Sequence, residues 1–197
     1  AQGNSGTPWS NFRDHADTEN GTRGVAVLRD DRVLAWGEFH ALGGWFSPAV
    51  GRLHANMEAD RGFVSRLPPG TMIGNALGQP DGRVLVVELT RMGLGFGPTN
   101  LLYRLNADGS LDPSFREPVA FDGQVRSLGL DQQGRILVGG TFRQVAGRPA
   151  ASVARLHHDG SPDESFTRGI GADQPVERLY PMPDDSVVAY GNFRWFD

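Results

Sequence analysis

The chain has 197 residues, 39% of them hydrophobic and 21% charged, which fits one folded domain with a sizeable core and excludes a disordered segment. Its 19 basic and 23 acidic residues give a net charge of −4, which excludes the clustered positive charge of a nucleic-acid binder. Cysteine is absent and every basic residue other than histidine is arginine, so disulfides, thiol nucleophiles, thiolate zinc sites and lysine Schiff bases are excluded too.

The chain opens at Ala1-Gln2 without Met, which suits a mature secreted protein. No apolar run approaches the ~18 residues of a membrane span. The segment "TPWSNF" ending at Phe12 reads as a closing strand. A phrase then recurs: "DRVLAWGEF" from Asp31, the degenerate "GRVLVVELT" from Gly82, "GRILVGGTF" from Gly134 and "DSVVAYGNF" from Asp185. The apolar anchors Val33, Val84, Ile136 and Val187 step by 51, 52 and 51 residues. Phe12, Phe63, Phe115 and Phe166 keep the same steps, and Arg52, Arg104 and Arg155 step by 52 and 51. Such agreement identifies an internal repeat.

Each unit reads as four short strands. A modest apolar segment such as "VRSLGL" comes first, and a polar turn follows. The recurring phrase is the second strand; its consecutive apolar residues predict cover on both faces. "SVARLH" or "LLYRLN" is the third. A turn, "ADGS" or "HDGS", leads to a closing strand around "DPSF" or "DESF". Four short strands at this period predict an all-β chain with β-propeller architecture; a sandwich would not require a constant period. Approximate units are 13–63, 64–115, 116–166 and an incomplete 167–197, about three and a half blades in all. The incomplete set suggests a piece of a longer propeller, or open edges covered by a protein partner or further copies. Gly37, Gly139, Gly140 and Gly191 are expected where the second strand is crowded by neighbouring blades, with Phe39, Phe142 and Phe193 filling the space between blades. Glu88 and Thr90 break that rule in the second unit.

The succession "QVRSLGLDQQGRILVGGTF…GRPAASVARLHHDGSPDESF", from Gln124 to Phe166, and "YRLNADGSLDPSF", from Tyr103 to Phe115, resemble the delta-60 repeat family of bacterial β-propeller repeats. The resemblance runs from Phe12 to the C-terminus and is weakest over 60–100. It implies an extracellular or cell-surface protein, with a periplasmic location also open, and implies no single reaction or residue set.

No catalytic motif stands out, so the expected function is non-enzymatic: a binding or assembly module contacting protein or polysaccharide through its loops. A carbohydrate-active hydrolase or lyase, and a purely structural subunit, are the alternatives. Trp45-Phe46 and Trp195-Phe196 follow second strands at nearly equivalent positions and are the expected contacts, because flat rings bury much area at low entropic cost. The repeated Arg52, Arg104 and Arg155 are expected to bond turn carboxylates or carbonyls between blades. No cofactor is expected; the acidic turns admit calcium, but hairpin chemistry accounts for them. His157-His158 should point to opposite faces and share no metal.

Overall fold

The computed structural model describes residues 21–68, 70–89, 100–115, 118–166 and 171–196, with the backbone of 16 and 17. Phe12, Thr90 and residues 91–99 lie outside them. The described residues form strands and turns without a helix, so none of them forms a helix long and apolar enough to cross a membrane.

The strands fall into recurring groups. The first holds β1 (Ala16–Asp17), β2 (Thr22–Val27), β3 (Val33–Gly37), β4 (Ala41–Leu42), β5 (Trp45–Phe46) and β6 (Val50–Leu53). The second holds β7 (Ile73–Gly78), β8 (Val84–Leu89) and β9 (Asn100–Leu105). The third holds β10 (Val119–Phe121), β11 (Val125–Leu130), β12 (Ile136–Gly140), β13 (Gln144–Val145), β14 (Arg148–Pro149) and β15 (Val153–Leu156). The fourth holds β16 (Val176–Pro181) and β17 (Val187–Gly191).

Within each unit the pairing is antiparallel, in the orders β2-β3-β6, β7-β8-β9 and β11-β12-β15, with β16-β17 alone in the last. The central strands β3 and β12 are buried at every residue, as continuous apolar runs require. β17 carries a similar run but alternates between half-buried and exposed, because among the described residues no third strand pairs with it. The expected closing strand is reduced to single bridges, Leu53↔Ala59, Leu105↔Leu111 and Leu156↔Pro162. After each bridge the chain is held by side-chain bonds to the turn instead of a ladder.

The core lies largely between units. Leu34 and Trp36 of β3 pack with Ile73 and Ala76 of β7. Leu85 and Val87 of β8 share a cluster with Val125 of β11. Leu137 of β12 packs with Val176 and Leu179 of β16. β10 adds a backbone tie: it pairs with β9 of the unit before and with β13 of its own.

The glycine expectation needs correcting. A β-bulge interrupts the first strand of each unit between Val125 and Ser127, and at the matching places. A Cβ on Gly140 would lie 1.9 Å from the Gln124 carbonyl oxygen, so the crowding comes from the unit's own bulged strand. Only at Gly139 is it the next unit, where Val176 would stand 2.9 Å away. Glu88 occupies the bulge position of the second unit, opposite Ile73, and accepts a hydrogen bond from the Tyr103 hydroxyl at 2.8 Å. Phe39 does not fill the space between units, whereas Phe142 shares a cluster with Leu85, Val87 and Leu102 of the second unit and Phe193 packs against one that holds Leu137 of the third. Phe39 packs with Val33, Ala35, Leu42 and Leu53 of its own unit. Phe142 meets Phe121 edge-on at 5.1 Å.

Candidate functional site

The most regular chemical feature is an arginine clamp. Arg52, Arg104 and Arg155 stand on the third strands of their units. Each donates through Nε to an aspartate on the closing segment: Asp60 at 2.7 Å, Asp112 at 2.8 Å and Asp163 at 2.8 Å. Each guanidinium also lies over a phenylalanine ring, Phe63, Phe115 or Phe166, at 4.7, 4.7 and 4.6 Å. Arg52 reaches on to the Ala107 carbonyl of the next unit at 2.9 Å, and Arg104 likewise to the His158 carbonyl. The arginine and phenylalanine columns of the sequence repeat thus meet with the aspartates in one clamp, which locks the closing segment and, in the first two units, grips the neighbour.

The clamp decides the chemistry of its carboxylates. At Asp163 burial raises the pKa, but hydrogen bonds from Ser165 and Arg155 outweigh it and bring the value to about 2. Asp60 and Asp112 are lowered in the same way against the effect of burial, Asp60 chiefly by Arg52 and Asp112 chiefly by Ser114. A glycosidase acid needs a carboxyl kept protonated, and these three are ionised throughout the neutral range. The exposed turn carboxylates are occupied locally. Asp108 accepts from Ser110 N–H and Oγ at 2.9 and 2.6 Å, and Asp159 from Ser161 at 2.9 and 2.6 Å. Among the described residues no group of three or more His, Asp or Glu converges as a metal site.

Grooves lie beside the clamps. That of the first unit, about 610 Å³, is lined by Gly43, His54, Met57, Glu58, Ala59 and Arg61 among others. The second unit has one of about 670 Å³ and the third one of about 300 Å³. In the first and third units a short hairpin borders the groove: β4-β5 and β13-β14. Gly43 and Gly44, at φ 59° and 71°, form the two-residue turn of β4-β5, a conformation that Cβ-bearing residues resist. Ala146 and Gly147 fill the same turn in the third unit.

This hairpin sets Trp45 and Phe46 out from the body, 37% and 64% exposed. Arg61 lies over the Trp45 ring at 5.0 Å. In the third unit the corresponding residues, Arg148 and Glu164, form an ion pair. Arg61 went unnoticed in the sequence, although its counterpart Glu164 falls at the repeat offset.

Trp195 and Phe196 are exposed too, 49% and 47%, but their position is not that of Trp45 and Phe46. The bridge Ala172↔Phe196 matches Phe121↔Val145 and Ala16↔Leu42. Phe196 therefore corresponds to Leu42 and Val145, which are buried. It sits on the incoming arm of the hairpin and Phe46 on the outgoing arm. Phe196 packs against Phe193 at 5.7 Å. The aromatic pairs belong to the first and fourth units and to different arms, so the repeat does not make them one site.

Two segments, 79–115 and 134–166, match a family described as a domain of unknown function (DUF5122) β-propeller, which supports a β-propeller repeat family for this all-β chain. A solved structure, the extracellular domain of BT4673 from B. thetaiotaomicron, described as a one-component system, is 11% identical with a TM-score of 0.47. The match covers 87% of this chain and 20% of that one, so this chain spans about a fifth of its length. No curated protein matches the chain.

Proposed function

We propose that the chain is a non-enzymatic β-propeller module, outside the cell or on its surface, that binds polysaccharide or protein through its loops. The observation that carries this reading is the shelf made by the exposed Trp45 ring under Arg61, on the β4-β5 hairpin that borders the first groove, with Phe46 exposed on the other face of the same strand. An aromatic face beside hydrogen-bonding groups such as His54 and Glu58 suits a sugar ring, or a side chain of similar shape. The ionised state of the clamp aspartates supports binding over acid catalysis. The location rests on the resemblance to delta-60 repeats. Trp195 and Phe196 are secondary contacts in this reading.

The test is binding of the chain to a panel of neutral and acidic polysaccharides, with Trp45→Ala and Phe46→Ala beside Trp195→Ala and Phe196→Ala. Loss with the first pair and little change with the second supports the shelf. Unchanged binding by folded Trp45→Ala and Phe46→Ala variants removes it, and hydrolysis or lyase turnover of any panel member overturns the non-enzymatic reading.

A further inference from the structure

The first clamp lacks a part that the other two have. The bridges Leu53↔Ala59, Leu105↔Leu111 and Leu156↔Pro162 align the closing segments, so Gly62 stands where the second and third units have Ser114 and Ser165. Ser114 Oγ donates to Asp112 Oδ1 at 2.7 Å and accepts from Arg104 Nη2 at 3.2 Å. Ser165 Oγ donates to Asp163 Oδ1 at 2.6 Å. In the first unit Asp60 Oδ1 accepts from the Gly62 N–H at 3.0 Å, and among the described residues no hydroxyl reaches it. His54 Nε2, at 3.9 Å, is beyond hydrogen-bond reach. Arg52 turns its Nη2 to the Ala107 carbonyl, and its Nη1 is buried with no hydrogen-bond partner among the described residues. Arg52 and Asp60 are only 5% and 7% exposed, so an unpaired donor here is costly.

The place of the missing serine opens on the first groove, which Asp60, Arg61 and Gly62 line together. A Cβ at Gly62 would meet only Asp60 Oδ1, at 3.2 Å. The turn beside the groove departs from the other units as well. Met57 holds the place of Gly109 and Gly160 and keeps their left-handed backbone, at φ 68°, a conformation that side chains other than glycine resist and that gathers at ligand sites. Where Asp108 and Asp159 are occupied by serine hydroxyls, Asn56 Oδ1 accepts only the Glu58 N–H at 3.1 Å.

We propose that the first clamp recognises a sugar hydroxyl, which takes the place of the missing serine hydroxyl, donating to Asp60 Oδ1 and accepting from the Arg52 guanidinium. A hydroxyl is the group that fits, because a carboxylate can only accept and a guanidinium can only donate. An ammonium group cannot accept, and a carboxylate of the ligand cannot donate. Arg61, which lies over the Trp45 ring, is the residue between Asp60 and Gly62, so the clamp adjoins the shelf. The inference rests on the sugar-binding reading of that shelf and names the atoms that select the ligand.

Gly62→Ser tests it by returning the hydroxyl that the second and third clamps carry. The full chain and the variant are titrated with dextran, galactomannan and xylan and with their fully O-methylated forms. Gly62→Ser should keep or raise the thermal midpoint, because its hydroxyl pairs Asp60, and should weaken binding of whichever polymer the chain binds at least about tenfold. The unaltered chain should lose the methylated forms, which have no hydroxyl to donate. Unchanged affinity of a folded Gly62→Ser variant overturns the inference. If that variant fails to fold, equal affinity of the unaltered chain for methylated and free polymer overturns it instead. Binding lost in Trp45→Ala but kept in Gly62→Ser leaves the shelf without the hydroxyl site, and the reverse leaves the hydroxyl site without the shelf. A chain that binds none of the polymers overturns both.

Discussion

Arg61 stacks on Trp45 in the first unit where Arg148 and Glu164 form an ion pair in the third. Both pairs tie the outgoing arm of a hairpin to the closing segment, one by a cation over a ring and the other by opposite charges. The hairpin needs a tie at this place, and only one of the two ties leaves an aromatic surface for a ligand.

Structure and binding can therefore be separated by exchange. Trp45→Arg with Arg61→Glu installs the tie of the third unit in the first. The unfolding free energy should change by less than about 1 kcal/mol, the scale of an exposed pair of either kind, whereas binding through the shelf should be lost. Urea unfolding and the polysaccharide panel measure the two effects.

The clamp should be costly to break. Arg104→Met takes from Asp112 its buried partner, leaving only the exposed Arg83, and removes the bond to the His158 carbonyl. A loss of about 3 kcal/mol is expected, as for one partner of a buried pair. Arg83, whose Nε lies 3.1 Å from Asp112, moderates the loss. Denaturant melts of Arg104→Met and Arg52→Met should show losses of similar size, because the two clamps share one geometry.

Acid should unlock the clamps. The folded pKa of Asp163, about 2, is lowered relative to an unfolded value of about 3.9. Its contribution is complete above the unfolded value and is lost as pH falls through the folded one. Stability should thus decline between about pH 4 and pH 2, with Asp60 and Asp112 contributing in the same direction. Asp163→Asn should be less stable at neutral pH and should show a shallower decline across that window, read from thermal melts at stepped pH.

Two turn glycines separate backbone strain from contact. Gly82 and Gly109 have φ of 85° and 87°. A Cβ at Gly82 would meet only the Ala107 Cβ at 3.5 Å, but at Gly109 it would stand 2.2 Å from the Val64 carbonyl oxygen. Gly82→Ala should cost about 1 kcal/mol from the left-handed conformation alone. Gly109→Ala should cost more, because it also pushes on the segment where Val64 and Arg66 N–H donate to the Asp108 and Gly109 carbonyls. Denaturant melts of the two variants give the comparison.

Much of the repeat was legible in the chain because its parts recur. The runs around Val33, Val84, Ile136 and Val187 all became second strands, since consecutive apolar residues need cover on both faces. The arginine column was readable as structural for the same reason: a part present in every unit serves the unit. The closing strand was not readable, because Asp112, Ser114 and Arg104 hold that segment through side chains, and one bridge satisfies what a ladder otherwise would. The apparent equivalence of Trp45 and Trp195 also failed. Aromatic doublets after a second strand look alike, but register assigns Phe196 to the place of the buried Leu42.

By itself the sequence determined the period, the strand type and the identity of the repeated residues, because these depend on local pattern and on spacing along the chain. Tertiary structure decided which surfaces meet. Pairing of the first strand to the second placed the bulge that requires Gly140. Stacking of one unit on the next buried Leu34 and Leu137 and left their counterpart Val188 uncovered. Exposure depends on neighbours far along the chain, and a repeated phrase carries no record of which of its copies has one.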